Sequence, residues 1–157
     1  MKYGYTNSLL RSSALLLLGI SVLSPTLLLA QIDVQCNAAN NVRHHADWLQ
    51  NSTRTATRFA DGQGYGNVRR EFDALRAAFH GFKQFLDPQQ AVNGANDLAD
   101  LDAGLDIIQE AFFNFEDDVA AGRPANAALR DMCQVVREAS RVWLQEFNRK
   151  ASRLGIR

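Results

Sequence analysis

His44, His45 and Asp47 are the side chains best suited by type to hold a ligand. Imidazole nitrogens and carboxylate oxygens are the donors of zinc and related metal centres. On a helix, adjacent residues point about 100° apart, so the two imidazoles cannot grip one ion in the usual way. His44 and Asp47 are three apart and share a face. A metal site would therefore draw on His44, Asp47 and a residue from another helix, and the broader alternative is a metal- or small-ligand-binding bundle using His44, His45 and Asp47. His45, beside the Val42–Leu49 seam, could face inward. The Glu-x-x-His pairs that line metal centres in helical bundles do not occur.

Other reactive arrangements are missing. No C-x-x-C-H motif is present to attach haem. Beyond the N-terminal leader there is a single methionine, Met132, which falls on an apolar helix face where packing accounts for it. The run Gly62-Gln63-Gly64-Tyr65-Gly66 looks like a phosphate loop, but such loops join a strand to a helix. Here a helix precedes the run and no Lys follows in position. It reads as a flexible interhelical turn with Tyr65 as an exposed contact residue. Ser52, Ser140 and Ser152 lack a G-x-S-x-G setting. Asn51-Ser52-Thr53 matches a glycosylation sequon, which matters only in a eukaryotic host. No catalytic residue, metal or cofactor is expected, and the chain does not read as an enzyme.

The strongest functional signal is an address. Lys2 and Arg11 precede an uncharged apolar run, Ala14 to Ala30, which ends at Gln31-Ile32-Asp33. A basic start, an apolar centre and a small residue at the break mark a secretory signal peptide, with cleavage expected after Ala30. The alternative is a retained membrane anchor. Against it, Ser21, Ser24, Pro25 and Thr26 interrupt a run that is barely long enough to span. The chain then divides into 1–30, a signal peptide, and 31–157, one helical domain placed in the periplasm or outside the cell. Losing Lys2 and Arg11 turns an even balance of 17 basic and 17 acidic residues slightly acidic. That gives no electrostatic reason for a nucleic-acid partner, and a membrane enters only if the signal is retained.

Four apolar stripes at helical spacing must position whatever the chain uses. The first, about Cys36 to Ala60, carries small residues (Ala39, Val42, Ala46, Leu49, Thr53, Ala56), with Trp48 and Phe59 supplying bulk. The second, Asn67 to Asp87, carries Val68, Phe72, Leu75, Phe79, Phe82 and Leu86, and Pro88 stops it. The third is a strict seam of Leu98, Leu101, Leu105, Ile108, Phe112, Phe115 and Val119, with Asn96 as N-cap, Gly122 as stop and an acidic outer side. The fourth starts at Pro124 and buries Leu129, Met132, Cys133, Val136, Ala139, Trp143, Phe147 and Leu154, flanked by Val135 and Val142. Its outer side is basic.

This pattern predicts an all-α, four-helix-bundle-like single domain after the signal peptide. Two cysteines in an exported chain, Cys36 and Cys133, suggest one disulfide. In a simple up-down-up-down bundle they would lie on the order of 20 Å apart, too far for a bond. A bond needs a non-helical N-terminal segment, a long crossover after Pro88, or a second chain. The expectation adopted is an intramolecular bond with an N-terminal segment that is not a full-length helix. For function, the expectation is a non-enzymatic bundle that binds a protein partner, self-associates or serves a structural or accessory role. The alternative is a metal- or small-ligand-binding bundle.

Overall fold

A computed structural model describes residues 25–59 and 62–157. They form five helices: α1 (Pro25–Phe59), α2 (Gly62–Gln84), α3 (Pro88–Asn93), α4 (Ala95–Ala120) and α5 (Ala125–Arg153). No strand occurs among the described residues. Most of the expected signal peptide, residues 1–24, lies outside them, and Pro25–Ala30 form the first turns of α1. Among the described residues no helix is long and apolar enough to cross a membrane.

The four long helices run up, down, up and down, so that each neighbouring pair is antiparallel. Near the start of α1, the Gln35 amide donates to the Phe85 carbonyl beyond the end of α2 (2.9 Å), and farther along His45 lies beside Glu71. Arg43 of α1 donates to Asn148 of α5 (2.7 Å), and the Trp143 indole of α5 donates to the Leu101 carbonyl of α4 (2.8 Å). The small stripe of α1, from Ala39 to Ala56, is fully buried, and its short side chains let α1 pack closely on α2 and α5. The α2 and α4 backbones meet less, and long side chains close their seam. Lys83 holds both oxygens of Asp102 at 2.8 Å, and Arg76 donates to Gln109. Arg69, Arg76 and Lys83, seven apart, lie over the rings of Phe112, Phe72 and Phe79 at 5.1, 5.8 and 4.9 Å, a cation–ring contact that also shields the rings from water.

The helix ends follow from local chemistry. Pro88 cannot continue α2 and instead opens α3, a short helix the sequence pattern did not reveal. Asp87 accepts from the Gln90 amide (2.8 Å) while Gln90 accepts from the Asp87 amide (3.1 Å), a reciprocal cap. Gly122 (φ +89°) and Gly155 (φ +80°) end α4 and α5 in the left-handed conformation. In both, the amide of the next residue returns to a carbonyl five back, at 2.9 and 3.0 Å. Asn96 is not the cap of α4, which begins one residue earlier behind Gly94 without a side-chain cap.

Three further expectations are corrected. The Gly62–Gly66 run is not a flexible turn but the first turns of α2. There Tyr65 is half-buried rather than exposed. It stacks on Phe115 at 4.7 Å and donates to Glu116. Burial, and then that hydrogen bond, raise its pKa above the ordinary phenol value. Tertiary packing here outweighs the roughly 1 kcal/mol that each glycine costs a helix. Trp48 adds little to the core, being 52% exposed.

The third correction is the disulfide. Cys36 and Cys133 are both free thiols. The segment around Cys36 is continuous helix, and the α1–α5 pairing sets Arg43 level with Asn148. Cys36 and Cys133 are therefore offset by roughly 20 residues, or about 30 Å along the bundle at 1.5 Å per residue, far beyond disulfide reach. Cys133 sits in the core, where burial pushes its thiol up to about 11.

The core is aromatic where the four long helices converge. Trp143 stacks on Phe147 (5.5 Å) and meets Phe79 edge-on (5.4 Å); Phe82 meets Phe147 at 5.2 Å. The indole lies against Gly104, where an added Cβ would stand 2.7 Å from Trp143 Cδ1. At Gly81 the same added group meets nothing within 4 Å. Gly81→Ala is expected to raise stability by about 1 kcal/mol through helix propensity. Gly104→Ala is expected to lower it by about 1–3 kcal/mol through overpacking. Urea midpoints of the two variants check this, and a rise in both would show that the indole moves freely.

Candidate functional site

Of the residues proposed for a metal or ligand, His44 and His45 meet edge to face (ring centroids 5.5 Å). His44 is exposed and packs on Trp48 (ring centroids 5.0 Å), and Asp47 points to solvent. His45 is half-buried between α1 and α2, its Nδ1 3.6 Å from a Glu71 carboxylate oxygen. That is too long for a hydrogen bond, and this buried nitrogen has no other partner among the described residues. Among the described residues, no three His, Cys, Asp or Glu side chains converge as metal ligands do. Met132 is packed in the core, as its position on the apolar face implies.

The more developed surface lies between α4 and α5. Ile107, Val135 and Val142 are 59, 49 and 53% exposed and follow one another along the seam of the two helices. Beside them a groove of about 450 Å³ opens, with Gly104, Ala139 and one edge of the buried Trp143 among its lining residues. A second hollow of about 220 Å³ continues the seam past Ala111, Ala128 and Met132. The absence of a side chain at Gly104 and the small Ala139 keep this surface low.

Carboxylates border the strip. Glu110 follows Ile107 by three on α4, and Glu138 follows Val135 by three on α5, so that one stands on each helix. Nearby cations are already engaged. Arg123 holds Asp118 and Asp131 at one end, and Arg149 holds Glu146 at the other. Lys150, covered by its neighbours, reaches Asp97 at 3.0 Å and Asp100 at 2.7 Å, and Arg153 also reaches Asp97. Burial works against the Lys150 charge, yet the hydrogen bonds it donates to Asp100 and Asp97 leave its pKa raised. The surface therefore offers apolar area and fixed charge, the means of recognition by contact.

The sequence carried a signal for this face. Ile107-Ile108, Val135-Val136 and Val142-Trp143 are apolar doublets. Neighbours on a helix point about 100° apart, so a core that takes the second member leaves the first outside. Val135 and Val142 flank the buried stripe in the sequence pattern, and Ile107 lies off the three-and-four count of its helix.

Comparison with protein families, with curated proteins and with solved structures finds no match to this chain.

The ion cluster at the end of the groove is testable. Asp97 is 22% exposed, takes two cations and lies in the first turn of α4, where the helix dipole favours it. Asp100 is 72% exposed. Asp97→Asn is expected to destabilise the protein by roughly 1–2 kcal/mol, and Asp100→Asn by less than about 0.5 kcal/mol. Equal losses in chemical denaturation would contradict this picture of the cluster.

Proposed function

We propose that the protein is an exported, non-enzymatic helical bundle whose role is to bind a protein partner through the α4–α5 face. The exposed line of Ile107, Val135 and Val142 over a groove lined by Trp143 and Gly104 carries this reading. An apolar strip bordered by charge is what protein-recognition surfaces present. The charged side chains around it are carboxylates and paired cations, which suit positioning rather than bond-breaking.

Two observations support the export part. The leader pattern of Lys2, Arg11 and the apolar run to Ala30 is one. The other is that, among the side chains described, Leu27, Leu29 and Ala30 are exposed and Gln35 is the first that is buried. Cleavage after Ala30 would keep every core residue described, from Gln35 onward. The Gln35 amide, which donates to Phe85 and Gln90, would remain to close that end of the bundle.

The test is site-specific photo-cross-linking in a host that exports the protein. A cross-linking residue replaces Val142 in one variant and the exposed Arg70 of α2 in another. Expected are an exported form whose mass begins at Gln31 and a discrete protein adduct at position 142 but not at 70. Adducts at both positions alike would contradict the assigned face, and an exported mass that retains residues 1–30 would contradict cleavage.

A further inference from the structure

Resting on the reading that the α4–α5 face is a docking surface, we infer that its partner is a basic amphipathic helix of another protein. The first argument is shape. The face is a shallow channel between two antiparallel helices, and the residues along it run on α5 from Ala128 to Arg149. That is about 30 Å at 1.5 Å per residue, the length of a helix of about 20 residues. Val135 and Val142 are seven apart, two turns, so a helix laid along the strip meets them with its own two-turn repeat. Helix-in-groove binding uses this arrangement, with apolar anchors at positions three, four and seven apart.

Charge decides the partner's chemistry. The residues lining the channel include Asp100, Glu110, Asp131, Glu138 and Glu146 against the cations Arg149 and Lys150. Both of those cations are spent within the fold. Glu110 has no ion pair among the described residues. Among the described residues Glu138 pairs only with Arg141, at 3.0 Å with both side chains about 60% exposed, a pair weak enough to be exchanged for another. An apolar strip with an available carboxylate on each side matches an apolar stripe with Lys or Arg on each side. An acidic helix would place like charges together, which such interfaces avoid.

Two labelled synthetic peptides of about 20 residues, enough to fill the channel, test the inference by fluorescence anisotropy on the purified exported protein. Both carry leucines at alternating spacings of three and four; one has Lys and Arg on its flanks, the other Glu. The basic peptide is expected to bind, more weakly as salt rises. Glu110→Gln with Glu138→Gln is expected to weaken it about tenfold and flatten the salt dependence. Val142→Ser, at an exposed position that leaves the fold intact, is expected to weaken it about tenfold as well. Equal binding of the two peptides, or basic-peptide binding indifferent to these substitutions, overturns the inference. An adduct at position 142 that proves to be a second copy of this chain or an acidic protein also overturns it, while leaving the docking face standing. Loss of both the adduct and peptide binding overturns the two readings together.

Discussion

The Trp143 indole is the contact on which the arrangement of the four long helices depends. Its N–H bonds the Leu101 carbonyl, its ring covers Gly104, and its faces and edges meet Phe147 and Phe79. One side chain thus ties α4 to α5 and both to α2. Arg43 of α1 completes the set by lying over Phe147 at 5.8 Å. A buried indole N–H needs an acceptor, and a mid-helix carbonyl can serve because a carbonyl oxygen has a second lone pair. Only a residue without a side chain lets the ring come so near α4.

That approach shapes the outer surface as well as the core. Because Trp143 fills the space over Gly104 from within, the seam above it stays shallow and apolar. Ile107 and Val142 are then left with nothing to cover them. The end of the bundle is held differently, by polar groups. Gln35 donates to Phe85 and Gln90, Gln90 donates to Leu154, and Lys150 joins α5 to the start of α4. This network fixes the level of each helix against the others, as packing of smooth apolar stripes alone does not.

Much of the fold was legible in the sequence. The stripes from Val68 to Phe82 and from Leu101 to Phe112 are buried as their spacing demands, and Pro88 and Gly122 end helices for the reasons their chemistry gives. Less legible was anything that depends on tertiary contact. The glycines from Gly62 to Gly66 signal a turn locally, but stacking of Tyr65 on Phe115 holds them in a helix. The pairing of cysteines was inferred from compartment, whereas the antiparallel threading keeps Cys36 and Cys133 at opposite ends. His44, His45 and Asp47 stand out by type, yet His44 packs on Trp48, His45 lies beside Glu71 and Asp47 faces solvent. The α4–α5 face was present as apolar doublets, and a three-and-four count retains only one member of each.

The most direct measurement is hydrogen exchange of the two indole N–H groups, followed by NMR. Trp143 is 4% exposed and bonded to Leu101, whereas Trp48 is 52% exposed. The Trp143 indole is expected to exchange only on global unfolding, at the pace of the most protected core amides, while Trp48 exchanges at once. Rapid exchange at both indoles would show that Trp143 does not lock α4 to α5, and the account of the core and of the face built over it would fail.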